Sequence, residues 1–246
     1  MPFLNYESLD AVEEEAFRRR PPYPWTAITA PLREKAYAAL KAELPEVSHP
    51  AFERFVNVKR AHGQQSHDRY ILHWRPGLSL PRVWQEFIAE LEGPRYRAFL
   101  RRVLGITAEP ILTFEWYYAW SGCSVSPHCD AKRKIATHIF YFVTEEEWPP
   151  EWGGDILILD DKKRFPAHSA PSFEALETAA SLRAVGNASL LFARTDHSWH
   201  GVRPLTSPAG VLRKLFIVTV NANTWQVKWR RLRGKDPDGY RFRLSA

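Results

Sequence analysis

Pro127-His128-Cys129-Asp130 is the stretch that decides how this chain reads, and Ser198-Trp199-His200-Gly201-Val202 answers it from a distance. Along a β-strand, residues at i and i+2 point to one face. His128 and Asp130 therefore present an imidazole nitrogen and a carboxylate oxygen to one point in space. His200 completes a set of two nitrogens and one oxygen on one face of a metal, with positions open opposite. That donor set suits non-haem Fe(II). A His-x-Asp tripeptide arises often by chance, so its weight depends on the surrounding sequence.

Working outward, the chain from Ile111 to Val220 runs in short β-branched and aromatic stretches broken by Gly, Pro, Asp and Asn. This is the pattern of an all-β core. The spacing predicts strands over 111–120, 135–143, 155–159, 188–193, 199–203 and 213–221. Upstream, Leu32, Ala36, Ala39, Leu40 and Leu44 predict a helix within 31–44. Val83, Phe87, Ile88 and Leu91 predict a second over 81–91. Tyr96, Leu100 and Leu104 predict a third over 94–104, with Gly105 as its C-terminal stop. Residues 1–30 read as a charged, proline-rich lead-in with one short helix at 8–19. Phe55 to Trp74 mixes short strand-like runs with a polar insert, Ala61-His62-Gly63-Gln64-Gln65-Ser66-His67-Asp68, which lacks periodicity and reads as a loop, a plausible lid over a site, with its histidines exposed rather than metal-ligating. The expected organisation is a helical buttressing region over 1–110, a β core over 111–224 and a basic tail over 225–246, with the first two forming one domain.

With 246 residues, 45% hydrophobic and 25% charged, the chain has the makings of one large globular domain with a substantial core. No apolar run approaches the roughly 18 residues that span a bilayer, so no membrane partner is expected. The start, Met1-Pro2-Phe3-Leu4-Asn5-Tyr6-Glu7, has neither a basic nor an apolar signal region. Cys123 and Cys129 are too few for a disulfide scaffold, and a cytoplasmic location is expected. The formal charge of +6 favours acidic partners. Lys228, Arg230, Arg231, Arg233, Lys235, Arg241 and Arg243 alternate with Trp225, Trp229, Tyr240 and Phe242, as in some single-strand binders. A solvated tail is the plainer reading, and a nucleic-acid or ribosome partner is the alternative. No Ser-His-Asp pattern, P-loop or Gly-x-Gly-x-x-Gly supports a hydrolase or a nucleotide enzyme.

Further motifs accompany the metal donors in order. Tyr118 and Gly122 precede His128. After Asp130 come Lys134-Ile135-Ala136-Thr137-His138-Ile139-Phe140-Tyr141-Phe142 and then Trp148-Pro149-Pro150-Glu151-Trp152-Gly153-Gly154-Asp155-Ile156-Leu157. Gly186-Asn187-Ala188-Ser189-Leu190-Leu191-Phe192 leads to His200-Gly201-Val202-Arg203-Pro204-Leu205, and Arg213-Lys214-Leu215-Phe216-Ile217 follows. In this order and spacing, Phe114 to Asn221 resembles the Fe(II)/2-oxoglutarate-dependent dioxygenases, most closely their prolyl-4-hydroxylase-like branch.

The resemblance implies a mainly β fold with flanking helices, built on a double-stranded β-helix, or jelly-roll, core. It implies His128, Asp130 and His200 as the catalytic metal ligands, with Fe(II), 2-oxoglutarate as cosubstrate, dioxygen, and ascorbate as a stimulant. It assigns Arg213, Tyr141, Tyr118 and Thr137 to the cosubstrate site. Arg213 and Lys214 alternate faces, so only one can point inward; Arg offers the fork that meets a carboxylate with two bonds. His197 competes with His200 as third ligand, and the following Gly-Val-Arg-Pro favours His200. Trp120 is either a pocket or a core aromatic. Cys129 faces away from the metal, and His138 faces away from Tyr141. Aspartate at 130, rather than a small residue, points to hydroxylation over halogenation. Thr219 stands where alkylated-nucleic-acid oxygenases carry a second arginine. The expected reaction is hydroxylation of an aliphatic C–H on a prolyl or other amino-acid side chain, in a small-molecule, peptide or protein substrate. A cupin-like binder without turnover, or a protein working through its basic tail, is the alternative.

Overall fold

A computed structural model describes residues 2–58, 60 and 63–232. Two short helices, α1 (Tyr6–Asp10) and α2 (Glu14–Arg19), precede strand β1 (Trp25–Thr29), helix α3 (Glu34–Ala42) and the hairpin of β2 (Glu53–Phe55) and β3 (Arg69–His73). Helices α4 (Arg82–Glu92) and α5 (Pro94–Leu104) follow. The remaining strands are β4 (Ile111–Ala119), β5 (Val125–His128), β6 (Lys134–Tyr141), β7 (Ile156–Asp160), β8 (Glu177–Leu182), β9 (Ala188–Ala193), β10 (Trp199–Val202) and β11 (Arg213–Asn221). Helix α6 (Trp225–Leu232) closes the described chain. A seven-stranded sheet has the order β1-β9-β6-β11-β4-β3-β2, and a four-stranded sheet the order β5-β10-β7-β8. Every pairing is antiparallel. The two sheets form the jelly-roll.

Alternation along the long strands sorts side chains into two layers. Phe114, Trp116 and Tyr118 of β4, Phe216, Val218 and Val220 of β11, and Ala136 and Phe140 of β6 share one cluster with the helices. Ala119, Leu215, Ile217, Ile139 and Tyr141 share another between the sheets. Trp84 on α4 anchors the first, with its ring centroid 5.1 Å from Trp116, 5.3 Å from Phe142 and 5.0 Å from Phe216. Its indole N–H donates to the Leu40 carbonyl at 3.1 Å, which supplies the partner a buried indole needs. Helix α5 adds Tyr96, Phe99, Leu100 and Val103, and ends at Gly105 with φ 67°, the left-handed cap that glycine adopts without strain. His138 belongs to this outer layer, held by Tyr96 Oη at 2.8 Å and Ser189 Oγ at 2.9 Å. Burial pushes its pKa down to about 3.

Three features differ from the sequence expectation. The first 110 residues are more than a helical buttress, because β1, β2 and β3 extend the larger sheet on both edges. Strand β8 falls where no strand was expected, whereas β5 is the strand on which the His128–Asp130 reading relied; both lie on edges of the smaller sheet. β5 contains Pro127, which an edge tolerates because one side of its backbone needs no ladder bond. Helix α6 takes up 225–232, the start of the expected basic tail, and buries Val227. The cations and aromatics beyond Leu232 lie outside the described residues. Among the described residues no helix is long and apolar enough to cross a membrane.

Candidate metal and cosubstrate site

Strands β5 and β10 are neighbours, and their register sets His200 directly opposite His128. The imidazole centroids are 4.3 Å apart. Asp130 follows β5 by two residues, so its carboxylate turns to the same side. Among the described residues, these three are the one group whose ligand atoms lie within 4.8 Å of one another. All three are buried. Gly201 allows the close packing beside them, since a Cβ there would come within 2.8 Å of the Val125 carbonyl and 2.9 Å of the Phe173 ring.

One device orients both rings. His128 Nδ1 lies 3.0 Å from the Ser126 carbonyl, and His200 Nδ1 lies 2.9 Å from the Ser198 carbonyl. A carbonyl only accepts, so each Nδ1 carries the proton and each Nε2 keeps its lone pair for a metal. Burial pushes both pKa values down, which favours the neutral, ligating form. Asp130 is held by both oxygens: Lys134 Nζ donates to Oδ1 at 3.1 Å and Thr137 Oγ1 to Oδ2 at 2.8 Å. Burial opposes its ionisation, but Lys134, His200, His128 and Thr137 outweigh that and hold it below the usual carboxylate range. Two neutral imidazoles and one carboxylate are a donor set that fits Fe(II).

The same cavity, of about 260 Å³, also contains Arg213. Arg213 opens β11 on the inner face and is 2% exposed. Its Nε and Nη2 have no hydrogen-bond partner among the described residues, and neither has the buried Tyr141 hydroxyl. Burial lowers the Arg213 pKa and raises that of Tyr141. Gly154, at φ 89°, lies against the guanidinium, where a Cβ would stand 3.0 Å from Nε and 3.1 Å from Trp148 Nε1. Orphaned donors on a buried cation are costly unless an anion completes them. A carboxylate fits that demand.

The structure places each of the site residues singled out in the sequence. Arg213 faces in, while Lys214 faces out with its Nζ 5.5 Å from the centroid of the Tyr118 ring. His197 pairs with Asp161 at 2.9 Å and stands outside the donor cluster. Arg203 reaches Glu174 on the surface. Thr137 lines the cavity and acts on Asp130. Tyr118 is different: it was expected beside the cosubstrate, and it lies on the outer face of β4, where its hydroxyl donates to the Pro45 carbonyl at 3.0 Å. Its parity matches Phe114 and Trp116, and Tyr117 takes the inward place. Trp120 packs on the β2–β3 hairpin, 4.9 Å from the Tyr70 ring. His67, expected to be exposed, is buried with its ring centroid 4.8 Å from that of His128. No local sequence signal marks His67 or Arg69 as a cavity residue; only the pairing of β3 with β4 brings them there.

Comparison with known proteins accords with this geometry. Residues 114–222 match the family model of the 2OG-Fe(II) oxygenase superfamily. No curated protein sequence matches the chain. Among solved structures, a prolyl-4-hydroxylase from Pseudomonas putida is similar over 88% of this chain and 100% of its own, at TM-score 0.61 and 15% identity. The carbocyclase SnoK from nogalamycin biosynthesis is similar over 99% and 98%, at TM-score 0.60 and 13% identity. The epimerase SnoN, in complex with Fe3+, alpha-ketoglutarate and nogalamycin RO, is similar over 89% and 86%, at TM-score 0.54 and 15% identity. Members of the matched family use Fe(II), 2-oxoglutarate and dioxygen. The stretch that matches the 2OG-Fe(II) oxygenase superfamily model, residues 114–222, carries His128, Asp130, His200 and Arg213, the residues that the fold brings into one cavity.

Proposed function

We propose that this protein is an Fe(II)- and 2-oxoglutarate-dependent hydroxylase of an aliphatic C–H, on a prolyl or other amino-acid side chain, free or peptide-bound. Dioxygen supplies one oxygen atom to the new hydroxyl and one to succinate, and CO2 leaves. The observation that carries this reading is the sharing of one cavity by the three-donor cluster and the orphaned Arg213 guanidinium. His128 and His200 would offer Nε2, and Asp130 one carboxylate oxygen. Arg213 and the Tyr141 hydroxyl would hold the far carboxylate of 2-oxoglutarate and so orient its oxoacid end toward the metal donors. Ile139, Phe192 and Leu215 line the cavity and keep water from the reacting centre. Phe192 also packs on His200, with centroids 4.5 Å apart.

A hydroxylase, a carbocyclase and an epimerase share this fold. The choice of substrate therefore rests with the cavity wall rather than the architecture. The test is succinate formation by the Fe(II)-loaded full chain, with dioxygen present and then removed. Succinate formed only with dioxygen, and lost in Asp130→Asn, supports the reading. Succinate at the background rate in every condition overturns it.

A further inference from the structure

The two histidine donors are oriented by the same device, a carbonyl two residues earlier, but the two carbonyls are anchored differently. The Ser198 carbonyl sits in a turn that holds itself: Ser198 Oγ donates to the Thr195 carbonyl at 3.0 Å and accepts the Thr195 N–H at 2.9 Å. Ser126 is held from far away in sequence. His67 Nε2 lies 3.1 Å from Ser126 Oγ, across a separation of 59 residues. Arg60 Nη1 lies 2.6 Å from His67 Nδ1. A guanidinium only donates, so His67 Nδ1 accepts, and Nε2 carries the proton that is directed to Ser126.

The segment that delivers His67 is itself ordered by its own bonds. Between β2 and β3, the Asn57 N–H donates to Asp68 Oδ1 at 2.9 Å and the Val58 N–H to Ser66 Oγ at 2.9 Å. Ser66 Oγ donates in turn to the same Asp68 oxygen. Arg60 is steadied by Gln64 Oε1, 3.3 Å from Nε and 3.1 Å from Nη2. Arg69 Nη1 donates to the His67 carbonyl at 2.6 Å. His67 is thus fixed at its ring and at its backbone, is 6% exposed, and packs on His128 with centroids 4.8 Å apart. Both of its ring nitrogens are committed to protein partners, so in this arrangement it is neither a metal donor nor an acid or base. An apolar side chain would fill the same place without needing partners; what the imidazole adds is the directed Nε2–H.

We propose that His67 is a positioning residue for the metal: by holding Ser126 it fixes the carbonyl that orients His128, and so couples metal affinity to the placement of the β2–β3 connection. This rests on the reading of His128, Asp130 and His200 as metal ligands and goes beyond it. His200 is oriented within its own turn, whereas His128 answers to a segment outside the 114–222 stretch. Displacing the connection would leave His200 oriented and release His128.

The test is titration of the full chain with Co(II), read by the visible ligand-field absorption of the bound ion. His67→Phe keeps the bulk of the ring and removes both nitrogens. It should weaken Co(II) binding by about tenfold, as expected when a ligand loses its support, and change the band shape, while near-ultraviolet circular dichroism stays native. Ser126→Ala should give a similar loss, and the double variant no more than either single one, since both break the same bond. His67→Gln should recover most of the affinity, because its amide oxygen can accept from Arg60 and its amide nitrogen can donate to Ser126. Wild-type affinity and band shape in His67→Phe overturn the proposal, as do losses that add in the double variant or a His67→Gln no better than His67→Phe. If His67→Phe does not fold, Ser126→Ala, which removes a single oxygen, decides: unchanged Co(II) affinity there overturns the proposal. A wild type that binds no Co(II), or binding that survives in His200→Ala, would instead defeat the metal reading itself.

Discussion

The core over 114–222 and the β2–β3 hairpin over 53–73 reach the same cavity by different physical routes. In the core, position follows from strand periodicity and register. His128 and Asp130 are two residues apart, His200 is the direct partner of His128, and Arg213 has the inward parity of Leu215 and Ile217. In the hairpin, Arg60, His67 and Arg69 depend on one long-range pairing, β3 with β4, and on a connection without periodicity. The proposed metal and cosubstrate residues thus sit on the regular part, and the hairpin side of the cavity wall on the irregular part.

This contrast is open to direct challenge. The largest effect is expected from His200→Ala, which removes one of three metal donors: turnover should vanish and Fe(II) retention should collapse, while near-ultraviolet circular dichroism stays native. Trp84→Ala tests the packing behind the sheet. It should lower unfolding free energy by about 3–5 kcal/mol in urea titration, because a buried indole leaves a large cavity. Arg213→Met should raise the 2-oxoglutarate KM by about 10–100-fold, the loss of one charged hydrogen-bonded pair, with Fe(II) affinity little changed. Thr137→Val frees one Asp130 oxygen and should weaken Fe(II) binding by about tenfold, typical of a partner that orients a ligand. Tyr118→Phe is expected to be smallest: about 1 kcal/mol of stability, from the bond to Pro45, and no change in 2-oxoglutarate KM. A KM increase in Tyr118→Phe matching that of Tyr141→Phe would contradict the outward placement of Tyr118.

The two regions also differ in how far their structure could be read from residues alone. Helices α4 and α5 were legible from Val83, Phe87, Ile88 and Leu91, then Tyr96, Leu100 and Leu104, at helical spacing, and Trp84, Phe99 and Val103 complete their buried faces. The long core strands were legible because their apolar residues need cover on both faces. β8 was not: Glu177–Leu182 is an edge strand with little buried surface and thus no alternation to detect. β1 is short and half-covered, and its pairing with β9 is not encoded locally. Tyr118 was misplaced by analogy, although its parity with Phe114 and Trp116 already argued for the helix side. His67 shows the limit most clearly. A histidine in a polar, aperiodic stretch carries no mark of burial, and only the fold brings it beside His128.

The central claim is that His128, Asp130 and His200 hold Fe(II) while Arg213 holds 2-oxoglutarate in the same cavity. Its most direct test is anaerobic addition of 2-oxoglutarate to the Fe(II)-loaded chain, watched for the visible metal-to-ligand charge-transfer band of an Fe(II)–oxoacid chelate. The expected result is a saturable band in the wild type, absent in His200→Ala and requiring far more 2-oxoglutarate in Arg213→Met. A chain that binds Fe(II) tightly yet gives no band at any 2-oxoglutarate concentration would contradict it.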